Sequence, residues 1–173
     1  MKAVLTFYLI CISGISIAQS ITKIHFGTGV NNDLSSYIAL DYGNYLLNKD
    51  SNFNIGAQLG LHYLNFNTER LTKDDQFYVA LGVSLKYQLT DKFRLQVDSG
   101  TRWELGKSEV SFKDESGNLI PGSAIGKHAF SMPTINYIIH DTIEVLLGYQ
   151  FVFENDLDLN SLTVGLIIDL SSD

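Results

Sequence analysis

Cysteine is nearly absent. The single cysteine among 173 residues is Cys11, and it falls in a segment that reads as a signal, so the rest of the chain has no disulfide staple of the kind small secreted domains use. Proline is scarce too: Pro121 and Pro133 are the only two, which leaves few strands interrupted. Charged residues make up only 18%, low for a soluble protein. Basic excess is missing, with a net charge of -7, so nothing suggests the basic face that nucleic-acid binding wants. After the N-terminal segment no apolar run reaches the roughly 20 residues of a membrane-spanning helix.

The N-terminus has the parts of a secretory signal. Lys2 supplies a charge, "AVLTFYLICISGI" an apolar core, and Ser16 and Ala18 the small residues a signal peptidase reads. Cleavage is expected before Gln19. Tyr8 and Ile10 do not suit a lipoprotein box around Cys11. A retained anchor fits less well, because the run is shorter than a spanning helix. The chain thus divides into a signal peptide, 1–18, and one domain, 19–173.

What the chain has is alternation. In "TIEVLLGYQFVF", residues 142–153, Ile143, Val145, Leu147, Tyr149, Phe151 and Phe153 take every second position. A period of two means a strand with one apolar face. Eight such segments occur, near 21–30, 34–46, 52–66, 76–89, 92–105, 129–139, 142–153 and 161–170. The connectors alternate in length. Asn48 to Ser51, Thr90 to Lys92 and His140-Asp141 are tight, while "NTERLTKDD", 106–127 and "ENDLDLN" are long and polar. Only Asn31-Asn32-Asp33 breaks the pattern. Within 106–127, Val110 and Phe112 alternate with polar residues, and Glu115 to Asn118 reads as the turn of a hairpin. The pattern predicts an all-β, eight-stranded antiparallel up-and-down barrel.

Three arguments point the apolar parity outward, toward lipid. A bore of eight strands is too narrow for Phe53, Ile55, Leu59, Leu61 and Tyr63 plus seven more such rows. The opposite parity carries Gly27, Gly29, Gly43, Gly56, Gly60, Gly82, Gly100, Gly148 and Gly165, which on a wetted surface weaken strands for no gain but in a lumen make room for long neighbours. That parity also holds Lys23, Lys86, Arg94 and Arg102 against Asp41, Asp98, Glu104, Glu144 and Asp169, a nearly balanced set as a buried lumen requires. Lys23, Lys86, Arg94, Glu144 and Asp169 are expected at one low level, with Arg94 paired to Glu144 or Asp98. Aromatic belts fit as well: Tyr87, Phe93 and Tyr137 at one rim, Tyr63, Phe77, Trp103 and Phe153 at the other.

With its signal peptide, eight alternating segments and short turns set against long loops, the chain resembles the small eight-stranded outer-membrane barrels of the OmpA- and OmpX-like group. The resemblance covers the whole region after the signal, and it is architectural. Many of those barrels end on an aromatic residue; this chain ends "LIIDLSSD". The resemblance implies a transmembrane barrel with a polar, filled lumen in the outer membrane of a Gram-negative-type bacterium. It also implies lipid and lipopolysaccharide around it and the barrel assembly machinery as its insertion partner.

Other chemistries fit the residues less well. Lipid A deacylases of this barrel size pair a histidine and a serine two residues apart. The nearest match here, His128-Ala129-Phe130-Ser131, has a spacing of three, which puts the two side chains on opposite faces. Ser99 and Thr101 share the lipid-facing parity with no histidine evident beside them. Glu154, Asp156, Asp158 and Asn160 alternate oxygen ligands as calcium would ask, but without the glycine and glutamate of an EF-hand they read as a solvated acidic loop. His25 is expected low in the barrel, His62 high and His140 in a turn, so the histidines form no cluster. Arg102, Gln58, Gln96, Tyr78, Lys86 and Glu104 should fill the bore, against a pore. The expectation is a non-enzymatic protein with no catalytic, cofactor or metal residues and no cofactor. Its loop 106–127 would be the candidate for a surface ligand, by recognition or strand addition. The alternatives are a lipid A-modifying enzyme and a soluble lipocalin-like ligand-binding barrel.

Overall fold

The computed structural model describes residues 18–30, 33–46, 52–66, 75–105, 112–113, 116–120, 127–153 and 158–171. The signal segment, the tight connector 47–51 and most of the long loops lie outside the described residues. Ten strands follow one another: β1 (Ala18–Gly29), β2 (Leu34–Leu46), β3 (Phe53–Phe66), β4 (Asp75–Gln88), β5 (Phe93–Glu104), β6 (Phe112–Lys113), β7 (Leu119–Ile120), β8 (Lys127–His140), β9 (Ile143–Phe153) and β10 (Ser161–Asp169). Each of the eight long strands matches a segment expected from alternation to within three residues at either end.

The eight long strands close on themselves in the order β1-β10-β9-β8-β5-β4-β3-β2. All neighbours are antiparallel, and β1 pairs β10 from Ile21↔Asp169 to Gly29↔Ser161. Closure removes the two edges an open sheet would leave with unpaired backbone groups, a requirement for strands in lipid. The short β6 and β7 form a separate hairpin between β5 and β8, turning at Gly117, whose φ of 81° is open to glycine without strain. This is the hairpin foreseen around Ser116-Gly117-Asn118, though its strands are only two residues long.

The parity rule holds around the wall. In β9, Leu147 is 54% exposed and Phe151 44%, while Leu146 and Gln150, each just before one of them, are 1% and 0%. Ile38, Leu40, Leu59, Leu61, Ile135, Leu162 and Val164 likewise face outward. A lipocalin-like barrel buries this set; here it clads the outside. Rings pair at both rims, Phe93 with Tyr137 at 5.3 Å between centroids and Tyr63 with Phe77 at 4.8 Å.

Two details differ from the sequence reading. The lumen is not polar throughout. Leu34, Leu64, Phe66, Phe130, Val152 and Leu159 form an apolar plug in its upper part, and Ile21, Leu146 and Ile167 gather with Tyr45 in its lower part. Where no polar partner faces across the bore, an apolar side chain fills space with no hydrogen bond left unmade. The short first connector also has a reason. Asp33 is buried and its Oδ2 accepts the Asp158 N–H at 2.9 Å, while Val30 N–H donates to Asn160 O at 3.1 Å. The β1–β2 connector is thereby laced to the β9–β10 loop.

This wall yields a test. Leu147→Arg should cost about 2–4 kcal/mol in vesicles, as a cation on the lipid face does near mid-membrane. Gly148→Arg should fail for a different reason, since a Cβ at 148 meets Pro133 O and Thr134 Cγ2 at 2.5 Å. Urea titration of the vesicle-embedded barrel measures both; an unchanged midpoint for Leu147→Arg contradicts lipid exposure.

Candidate functional site

The lumen gathers buried polar groups in three layers, the lower two joined by hydrogen bonds. Its middle layer centres on Asp41 of β2. Lys23 of β1 forms ion pairs with Asp98 and, at 3.4 Å, with Asp41, and donates to Gln58 Oε1 at 3.2 Å. Both oxygens of Asp41 are engaged by histidine: His25 Nε2 lies 2.8 Å from Oδ2 and His62 Nε2 2.9 Å from Oδ1. Behind His25, its Nδ1 lies 3.1 Å from the Tyr37 hydroxyl, which is 2.6 Å from Thr163 Oγ1.

Register explains why these groups meet. His25 stands opposite Ala39, and Ala39 opposite His62, so the two imidazoles flank one small residue and their centroids are 5.8 Å apart. Gly60 sits directly across from Asp41; a Cβ there would fall 1.8 Å from Asp41 Oδ1. Gly27 does the same for Tyr37, whose ring would meet a Cβ at 1.8 Å. The inward glycines make room for long polar neighbours, as their parity implied.

The lower layer centres on Glu144 of β9. It forms an ion pair with Arg94, another with Lys86 at 3.5 Å, and accepts a hydrogen bond from Asn136 Nδ2 at 3.2 Å. Gln96 joins the layers: its Oε1 accepts from Asn136 at 2.9 Å and its Nε2 donates to Asp98 at 2.8 Å. In the upper layer Arg102, fully buried, donates to Gln150 Oε1 at 3.3 Å and stands 5.7 Å from the Tyr78 ring and 5.9 Å from that of Phe130. Arg102, Tyr45, Tyr78 and Lys23 are among the largest fully buried side chains.

Several sequence expectations resolve here. Arg94 takes Glu144, the first of its two expected partners. Asp98, four residues along the same strand and so about 13 Å away, takes Lys23 from across the bore instead. The low level therefore holds Lys86, Arg94 and Glu144 but not Lys23, and Asp169 accepts from Gln19 at the strand end. Against expectation the histidines do cluster: His25 and His62 share Asp41. Counting residues from the strand end put them at different heights because it ignored the tilt of the strands, which shifts each neighbour along the axis. No local motif signals this grouping; only the register reveals it. His128 is buried and Ser131 lies on the other face, its Oγ 3.0 Å from Ser99 Oγ, so that pair cannot share a proton. In the acidic loop, Glu154 and Asp156 lie outside the described residues. Asp158 Oδ1 accepts the Asn160 N–H and Asn160 Oδ1 accepts the Val152 N–H, so these two side chains brace the loop's backbone.

A closed eight-stranded antiparallel barrel, apolar outside and interlocked inside, is a transmembrane β-barrel of the small outer-membrane type. No family model and no curated protein sequence matches the chain. Solved structures do. The outer-membrane protein Ail of Yersinia pestis, in a phospholipid bilayer nanodisc, superposes with a TM-score of 0.56 at 10% identity, covering 88% of this chain and 99% of that one. Neisserial surface protein A gives 0.51 at 9% identity over 88% and 96%. A de novo designed protein, TMB2.3, gives 0.50 at 15% identity over 90% and 96%. At such identities the likeness is one of fold.

Because Glu144 neutralises two cations, its loss should outweigh that of either. Glu144→Ala should destabilise the barrel by about 3–5 kcal/mol, the range for breaking a buried pair. Arg94→Ala should cost less, since Lys86 and Asn136 still hold the carboxylate and Arg94 is itself partly exposed. Urea midpoints decide; a Glu144→Ala variant as stable as the parent contradicts the pairing.

Proposed function

We propose that the chain is a non-enzymatic outer-membrane barrel with a closed lumen, exported through its signal segment, whose work is done by loops held at the cell surface. The observation that carries this reading is the filled bore. Ion pairs and hydrogen bonds cross it at two levels, and an apolar plug of Leu64, Phe66, Phe130 and Leu159 occupies its upper part. A barrel so filled offers no open path, so the parts free to meet a partner are its loops. The connectors at one end are 47–52, 89–92 and 141–142; the opposite end carries 67–74, 105–126 and 154–160 together with the short 30–33. Outer-membrane barrels keep short turns in the periplasm and long loops outside, which favours 106–127 as the recognition segment. Neisserial surface protein A, a neighbour in fold, is by its name a surface protein. The deacylase alternative loses its one candidate pair, since His128 and Ser131 project to opposite sides of the wall.

Three experiments test this. Planar-bilayer recording of the refolded protein should show no stable conductance step; reproducible steps would mean that the lumen charges line a pathway. Protease added to intact cells should cut near Lys107, Lys113 or Lys127 and spare Lys49 and Lys92; cleavage confined to Lys49 or Lys92 would invert the barrel and end the surface reading. Deleting 106–127 separates recognition from a bulk role in the envelope: binding to host or neighbouring cells should vanish while envelope integrity stays.

A further inference from the structure

We propose that His25, Asp41 and His62 form a divalent transition-metal site of the zinc type in the middle of the lumen. One ligand atom from each lies within 4.8 Å of the others, and all three residues are buried. Two imidazoles and a carboxylate are a donor set that zinc takes readily and calcium, which wants oxygen, does not. The residues come from adjacent strands β1, β2 and β3 joined by continuous ladders, so the backbone fixes their spacing. Both nitrogen–oxygen separations, 2.8 and 2.9 Å, are slightly shorter than the edge of a tetrahedron around zinc, about 3.3 Å. The two contacts are to different oxygens of Asp41, and the ligand atoms lie within 4.8 Å of one another, so binding needs the rings to back away from the carboxylate by a few tenths of an ångström and to turn toward a common centre.

Charge and hydrogen bonding agree. Lys23 is the cation of this layer, yet it faces two carboxylates, Asp41 and Asp98. The one cation is shared between them, so Asp41 is compensated only in part in a space nearly closed to water, where an uncompensated charge is costly. A bound cation would complete that compensation. The Tyr37 hydroxyl can accept the Nδ1 proton of His25 while donating to Thr163, which turns the Nε2 lone pair toward Asp41. Metal-binding histidines are oriented by just such a partner on the other nitrogen. His62 Nδ1 has no hydrogen-bond partner among the described residues, so none of them holds the ring to the opposite tautomer. The three protein ligands leave a fourth position for a water molecule. Ionisable groups at mid-membrane are expensive and mark function; here the function is to hold an ion that ties three strands together.

The test uses the full mature chain refolded into vesicles with zinc sulfate, then freed of loose metal by gel filtration. Elemental analysis should find one zinc per folded barrel, with fold judged by heat-modifiable gel mobility. His25→Gln and His62→Gln, which keep an amide for Asp41 but lose the imidazole, should each lower the affinity at least about tenfold. His128→Gln, also in the lumen, should leave it unchanged. Should the glutamine variants fail to fold, X-ray absorption of the zinc-loaded parent serves instead, and should show two imidazoles on the metal. Substoichiometric zinc in the parent, equal retention by His62→Gln, or an imidazole-free absorption spectrum would overturn the site.

Discussion

The bore of an eight-stranded barrel is only wide enough for side chains, and the rest of this structure follows from that limit. Long inward side chains reach across so narrow a space, so a buried inward charge needs a partner within reach. Lys23 finds Asp98 on the far side, and Arg94 and Lys86 find Glu144. Large groups meet small ones directly across the ladder: Tyr37 faces Gly27, Asp41 faces Gly60, and His25 faces Gly165. The apolar residues that a soluble domain would use as its core are displaced to the outside, because there is no room for them within.

This arrangement makes the interior a connected object. Glu144 reaches Asn136, Asn136 reaches Gln96, Gln96 reaches Asp98, and Asp98 holds Lys23 and through it Asp41 and the two histidines. Where their members are satisfied, as from Glu144 to Lys23, such networks rigidify an interior more than their separate bonds suggest. A rigid wall is what surface loops need beneath them. The lacing of Asp33 to Asp158 and of Val30 to Asn160 extends that rigidity to the base of the last loop.

Much of this was legible in the sequence, for a definite reason. A period of two is a one-dimensional signal, so the strand limits, the outward set from Phe53 to Tyr63, the inward glycines and the aromatic rims could all be read along the chain. Arg94 with Glu144 was legible because both sit near the same short-turn end. What stayed hidden depends on two dimensions. The meeting of His25 and His62 requires knowing that both face Ala39, and the preference of Asp98 for Lys23 requires the tilt that brings β1 and β5 to one level across the bore. The apolar plug escaped notice because Leu64, Phe66 and Phe130 share a parity with polar residues, and parity alone does not say where along the axis the composition changes.

The central claim is that wall parity separates lipid from a packed interior. It is tested most directly by a nitroxide scan of residues 143–153 in the vesicle-embedded barrel, with collision of oxygen, which dissolves in lipid, as the readout. Oxygen accessibility should alternate with a period of two, high at Val145, Leu147, Tyr149 and Phe151 and low at Glu144, Leu146, Gly148 and Gln150. An inverted alternation, or equal accessibility at both sets, would contradict the account.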